Sequence, residues 1–297
     1  MLSLSALADL AGAHRADLDL PVGPLAIGDR VFDVDAVPLV MGVINLSRDS
    51  TYRESIATST ESAVRRVRVL IAQGADVVDL GAESSTPNAG RVDAAGQIEA
   101  LVPVIEQASA DGAIISVETY EPKVVEACLS AGARVLNMTG VEHQDQMLEL
   151  AAEHLATVIL CFSASANVRE VAEVDLDVDP MPGLLAHFSQ RVEHARALGV
   201  RRLVIDPGMG FSYSNLTEPR TRARHQASVL LNSFRLRSLG VPICNAMPHS
   251  FDLFEDQYRT AEGFYAVLAM LGGTSVFRTH EVAHLRAVLA SLRELSA

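Results

Sequence analysis

The residues best suited to chemistry stand at the ends of apolar runs. Leu203-Val204-Ile205 runs into Asp206, Val135-Leu136 into Asn137, and Ile114-Ile115-Ser116-Val117 into Glu118. Asp206 opens Asp206-Pro207-Gly208-Met209-Gly210-Phe211, whose glycines let the backbone approach a ligand closely. A lone aspartate there reads as a turn cap. Three converging acceptor side chains instead suit a flat heterocycle with an edge of N–H donors, because a carboxylate accepts two parallel hydrogen bonds. Ser275-Val276-Phe277 runs into Arg278-Thr279-His280. An arginine and a histidine two apart on a strand share a face, so together they can clamp an anion. Leu39 to Ile44 meets Asn45, which reads either as a donor beside a Mg²⁺-bound leaving group or as a turn residue.

These side chains need a scaffold that gathers strand ends. Short apolar runs flanked by turn formers read as fully buried parallel strands, and the intervening segments are long enough for helices. Strands fall near 38–45, 76–81, 113–118, 134–138, 156–162, 202–207, 241–246 and 275–280. Helical patterns cover 60–73, 95–108, 122–131, 145–154, 181–198, 219–238, 256–272 and 281–295. Gly74, Gly132, Gly199 and Gly240 each follow a helix and precede a strand, as left-handed helix stops do. The rhythm predicts an α/β fold, a single-domain (β/α)8 TIM barrel over residues 38–297, with a doubly wound open sheet as the alternative. Such barrels carry their active sites at the C-terminal strand ends, where the polar residues stand. Residues 1–37 read as a lead-in with a small hairpin, around Phe32 and Val34, capping the barrel floor.

The 297 residues carry 24 Lys+Arg against 37 Asp+Glu, a formal charge of −13. That balance argues against nonspecific binding to nucleic acid or an anionic membrane, and any anionic substrate must be held by local cations. Cys128, Cys161 and Cys244 show neither CxxC nor zinc-type spacing and read as reduced thiols of a cytoplasmic protein. The N-terminus lacks the basic start of a signal peptide, and no apolar stretch is long enough to span a membrane. Lys123, the only lysine, follows Pro122 at a helix start. Schiff-base chemistry needs a desolvated lysine inside the barrel, so it is disfavoured.

In order along the chain, Gly42-Val43-Ile44-Asn45-Leu46-Ser47-Arg48-Asp49-Ser50, Gly81-Ala82-Glu83-Ser84-Ser85-Thr86-Pro87, Ser116-Val117-Glu118-Thr119, Leu136-Asn137, Asp206 to Phe211, His249-Ser250-Phe251 and Arg278-Thr279-His280 together resemble the dihydropteroate synthase family. The resemblance covers about residues 38–285. It implies a (β/α)8 barrel, usually homodimeric, that joins 6-hydroxymethyl-7,8-dihydropterin pyrophosphate to p-aminobenzoate and releases pyrophosphate with Mg²⁺ present. It places Asp206, Asn137 and Glu118 on the pterin edge, with Glu118 where the family has Asp. Ser85, Phe211 and Ser250 join the substrate-binding set. Arg278, His280 and Asn45 fall around the pyrophosphate, with Asn45 toward the metal. His249 takes the place of a lysine that spans pterin and p-aminobenzoate.

The departures from the family pattern cluster. The first loop carries Arg48 and Thr51-Tyr52-Arg53-Glu54 where the family has a proline, an aromatic and glycines. Thr86 stands at a family arginine, with Arg91 the arginine downstream, and Ser212-Tyr213 follows Phe211 where Gly-Lys is common. His249 is shorter than lysine and only partly charged at neutral pH. The pterin and anion half is therefore kept while the arylamine half is altered. The first reading is a dihydropteroate synthase-type transferase in folate biosynthesis with a diverged acceptor site. The alternatives are a catalytically weak or inactive pterin-binding paralogue, or the pterin-binding barrel of methyltetrahydrofolate methyltransferases, which needs no Arg-x-His clamp.

Overall fold

Parallel strands buried on both faces need near-continuous apolar residues, and turn formers between them free the chain to reverse. The computed structural model describes residues 3–47, 56–57, 59–84, 90–163, 173–174, 179–210 and 213–295. Two helices, α1 (Leu4–Ala13) and α2 (Arg15–Leu18), lead into a hairpin of β1 (Leu25–Ile27) and β2 (Arg30–Phe32). Then come β3 (Leu39–Asn45), α3 (Thr60–Ala72), β4 (Val77–Gly81), α4 (Ala94–Ala110), β5 (Ile115–Glu118), α5 (Pro122–Ser130), β6 (Val135–Met138) and α6 (Gln144–Glu153). The second half holds β7 (Thr157–Cys161), α7 (Met181–Ala197), β8 (Arg202–Asp206), α8 (Pro219–Asn232), β9 (Cys244–Ala246), α9 (Phe251–Phe254), α10 (Tyr258–Leu271), β10 (Val276–Thr279) and α11 (Val282–Glu294).

Strands β3 to β10 form one parallel sheet in the order β8-β7-β6-β5-β4-β3-β10-β9. A bridge between Ile205 and Ile243, with the Ile205 N–H donating to the Pro242 carbonyl at 3.0 Å, joins β8 to the β9 segment and closes the ring. The expected barrel is therefore the observed one. Its lower interior is apolar. Met41, Val77, Val135, Ile159, Val204 and Val276 pack there on Leu25 and Ile27, which the hairpin raises into the floor. Toward the C-terminal strand ends the interior turns polar, at Asp79, Ser116, Asn137 and Asp206. That gradient confines chemistry to one end.

The helices wrap the outside, with Val64, Val67 and Leu70 of α3 and Leu101, Val104 and Ile105 of α4 buried against the strands. Gly74, Gly132, Gly199 and Gly240 all have positive φ, from 66° to 118°, as their places after helices require. Two expected helices are broken. The pattern over 219–238 is α8 to Asn232 and then a 3₁₀ stretch, Ser233–Leu239, where the Ser233 hydroxyl bonds back to the Val229 carbonyl at 2.9 Å. Such back-bonding competes with the helical ladder. The pattern over 256–272 begins with a 3₁₀ turn, Glu255–Gln257, and becomes α-helical at Tyr258. Lys123 is exposed on the first turn of α5, Cys128, Cys161 and Cys244 are free and buried, and no described helix is long and apolar enough to cross a membrane.

Candidate active site

Asp206 and Glu118 end β8 and β5, Asn137 is next to last in β6, and the three line one cavity at the barrel mouth. Asp206 accepts the Gly208 N–H at 2.8 Å, a turn that Gly208 permits at φ 80°. Asn137 is oriented from both ends, since its amide nitrogen donates to Asp79 at 3.1 Å and its carbonyl oxygen accepts from the Cys161 thiol at 3.1 Å. Asp79, midway along β4, is the hub. It also accepts from the Ser116 hydroxyl at 2.6 Å and from Arg278 Nε at 2.9 Å. Arg278 reaches further, donating from Nη2 to Glu118 at 2.6 Å.

Three carboxylates around one guanidinium out of water cannot all hold full charge cheaply. Burial pushes Glu118 up to about 7, against the pull of Arg278 and with help from Asp79 and Asp206. Burial likewise pushes Asp206 up to about 6, opposed by the Gly208 N–H and by Arg278. Burial works against the charge on Arg278 too, but Asp79 and Glu118 outweigh it and hold the guanidinium protonated. The site thus presents acceptors whose charge is unsatisfied until donors arrive.

A second group lies beside the first. His249 follows β9, and His280 follows β10, their rings 5.1 Å apart. The carboxylate of Glu262 on α10, fully buried, lies 3.0 Å from His249 Nε2 and accepts the His280 N–H at 3.2 Å and the Thr279 hydroxyl. His249 stacks on Phe251 at 5.2 Å. Burial, followed by the charges of His249, Arg278 and Arg66, drives the His280 imidazole well below its ordinary value, so that ring is neutral. The Arg278–His280 pair expected from strand spacing is therefore divided, with the arginine turned to the carboxylates and the histidine beside His249. Ser250 starts α9 in a left-handed conformation and shares a 2.7 Å hydrogen bond with Tyr265. Ser85 and Phe211 lie outside the described residues, as do residues 48–55 and 85–89. Arg91 pairs with Glu83 at 3.0 Å and lies over the Tyr120 ring.

Asn45 ends β3, and its carbonyl accepts the Ala57 N–H at 2.9 Å. Among the described residues no three His, Cys, Asp or Glu side chains gather as a metal cage. Mg²⁺ keeps several waters and usually binds through substrate phosphates, so it needs no such cage. The cavity between Glu118, Asn137, Asp206 and Arg278 measures about 40 Å³. A larger one of about 440 Å³ opens past Pro207 and Met209, between α7 and α8.

Residues 41–280 match the family described as pterin binding enzyme. The chain belongs to the pterin-binding enzyme family. Its relatives there include dihydropteroate synthase type-2 of Escherichia coli, 30% identical over 279 residues, covering 86% of this chain and 96% of that one. The mitochondrial folate synthesis bifunctional protein of Arabidopsis thaliana is 31% identical over 287 residues, 88% of this chain, and the chain spans 50% of that protein's length. Among solved structures, the Xanthomonas albilineans dihydropteroate synthase with 4-aminobenzoic acid superposes with a TM-score of 0.78 at 27% identity, covering 92% of this chain and 98% of its own. Within this pterin-binding barrel, the sequence reading did not single out Asp79 or Glu262. Asp79 had a visible signal, a charge inside the run Val77-Val78-Asp79-Leu80.

Proposed function

We propose that this chain is a dihydropteroate synthase, joining the pterin methylene of 6-hydroxymethyl-7,8-dihydropterin pyrophosphate to p-aminobenzoate. The observation that carries the reading is the buried acceptor set of Asp79, Glu118, Asn137 and Asp206 with a single guanidinium among them. A pterin presents an edge of N–H donors to such a set. The ring edge would meet these acceptors, and the Arg278 guanidinium that pairs with Asp79 and Glu118 supplies positive charge for the phosphates. The methylene C–O bond breaks with its electron pair leaving on pyrophosphate, whose charge Mg²⁺, held by the phosphates with Asn45 nearby, would offset. The carboxylates of Asp206 and Asp79 stabilise the positive charge left on the pterin. The arylamine nitrogen forms the new C–N bond and loses a proton to solvent. The relative solved with 4-aminobenzoic acid supports the acceptor.

A second reading, a pterin-binding paralogue with weak turnover, is favoured by His249, which stands at the position of the family lysine and faces Glu262. Pyrophosphate release from the dihydropterin pyrophosphate, measured with Mg²⁺ and with or without p-aminobenzoate, separates the two. Acceptor-dependent release that Asp206→Ala abolishes supports the synthase. Release independent of the acceptor points to another acceptor or to hydrolysis, and no release moves the weight to the paralogue. In the paralogue His249→Lys restores no turnover, whereas a weakened synthase gains it.

A further inference from the structure

Arg191, on α7, is only 6% exposed, yet no carboxylate among the described residues pairs with its guanidinium. Its nitrogens donate to neutral oxygens instead. Nη1 reaches the Cys161 carbonyl at 2.6 Å, Nη2 the Gly140 carbonyl at 3.3 Å, and Nε the Gln144 side-chain oxygen at 3.0 Å. Burial brings the group down to about 10, so it still carries its charge at neutral pH. A buried cation without a counter-ion is costly, and a well-packed apolar side chain is often at least as stable in such a place. Packing alone therefore does not account for Arg191.

The oxygens it holds belong to the cavity wall. Cys161 ends β7, and Gly140 lies two residues past the end of the neighbouring strand β6. Thr139, just before Gly140, lines the cavity together with Cys161 and Asn137. The Cys161 thiol donates to the Asn137 carbonyl oxygen at 3.1 Å, and the Asn137 amide nitrogen donates in turn to Asp79. A continuous run of contacts thus leads from the guanidinium through Cys161 to Asn137.

We propose that Arg191 is a positioning residue for the ring-binding edge of the cavity. By clasping the mouth ends of β6 and β7 it fixes Cys161, and through the Cys161 thiol it fixes the amide plane of Asn137. This rests on the pterin reading of the cavity for the identity of the ring. The rigid guanidinium fork holds two carbonyls and a side-chain oxygen at set angles, which the point charge of a lysine does not.

The test is calorimetric titration of 6-hydroxymethyl-7,8-dihydropterin, and separately of inorganic pyrophosphate with Mg²⁺, into the wild-type chain, Arg191→Met, Arg191→Lys, Cys161→Ala and the Arg191→Met/Cys161→Ala double variant. Each titration is run well below that variant's melting temperature. Arg191→Met is expected to weaken the pterin about tenfold and to leave pyrophosphate within about twofold, with Arg191→Lys recovering part of the loss. The double variant should lose no more than Arg191→Met alone, because both changes act along one path. Losses that add overturn the path. Unchanged pterin affinity in Arg191→Met, or an equal loss for both ligands, overturns the positioning role. Hydrogen exchange supplies a readout that needs no ligand. In Arg191→Met, or in Arg191→Lys if methionine prevents folding, deuterium uptake should rise at residues 137–140 and 160–162 and not in β4 or β5. A uniform rise would make Arg191 a general stabiliser and overturn the proposal. A wild-type chain that binds no pterin, with the rise still confined to those two segments, supports the clasp and removes the pterin reading.

Discussion

Asp206 is held where its charge is least welcome and where a donor-rich ligand gains most from it. Burial lifts it from 3.8 to about 6, and a shift of that size corresponds to roughly 3 kcal/mol. Because the folded value lies above the unfolded one, the stability linked to this group is complete below about pH 4 and is lost as pH rises through 6. Asp206→Asn keeps an oxygen for the Gly208 N–H and removes the charge. We expect thermal melts of that variant to lose less stability between pH 5 and pH 8 than the wild type does, while pterin binding falls by at least about tenfold. Pterin donors favour the ionised carboxylate, so affinity for the pterin alcohol rises with pH through the range from about 6 to about 7 set by Asp206 and Glu118, then levels. A fluorescence titration flat from pH 5 to 8 would remove Asp206 as the acceptor. Asp206, Asn137 and Glu118 were legible because each ends an apolar run, where a polar side chain has no packing reason to stand. Asp79 was passed over because it lies inside its run, although its alternation with Val77 and Gly81 sets it on the inward face.

At the scale of elements, the junction of α10 with β10 carries the second group. Glu262 accepts from the Thr279 hydroxyl and from two backbone N–H groups, those of His280 and Glu281. Glu262→Ala removes the acceptor that the Thr279 hydroxyl and the His280 N–H share, while the Glu281 N–H keeps Thr279 Oγ1 at 2.9 Å, and denaturant unfolding is expected to show a loss of about 1–3 kcal/mol. Glu262→Gln, which retains an acceptor oxygen, should lose distinctly less. Gly272 just after α10 is a packing constraint of another kind, since a β-carbon there would collide with the Leu230 carbonyl at the end of α8. Gly272→Ala should therefore lower the melting temperature although its backbone is unstrained, at a cost of about 1–3 kcal/mol. Glu262 could not be found from sequence. On a helix an acid or a base reads as the solvated face, and only the packing of Ala261, Ala266 and Ala269 around α10 shows that Glu262 lies on the covered side. The break after Asn232 was hidden for a similar reason, because one serine hydroxyl redirects a ladder whose residue pattern continues unbroken.

The molecule as a whole divides stability from chemistry along the barrel axis, with the hairpin sealing an apolar floor and Asp79, Glu118, Asp206 and Arg278 gathered near the mouth. The order of strands and helices followed from the alternation of apolar runs with glycine stops, and closure followed from their number. The homodimer implied by the resemblance is a prediction of the same scale. Phe264 and Leu271 are exposed on α10 seven residues apart, so they share a face. Sedimentation is expected to report twice the chain mass of 31.8 kDa, and paired substitution of Phe264 and Leu271 by Glu is expected to halve it.

The seam between β8 and β9 carries a further consequence. Most neighbouring strands share a continuous ladder, but here the ring is fastened at Ile205 and Ile243. Such a cylinder behaves like a split collar, stiff everywhere except across its gap, and this gap runs directly beneath Asp206 and the Met247-Pro248-His249 turn. Breathing of the collar would widen the mouth without unfolding any element. Deuterium should enter the Ile205 amide sooner than the amides of β4 and β5, and a ligand seated against Asp206 should slow that entry by holding the collar shut.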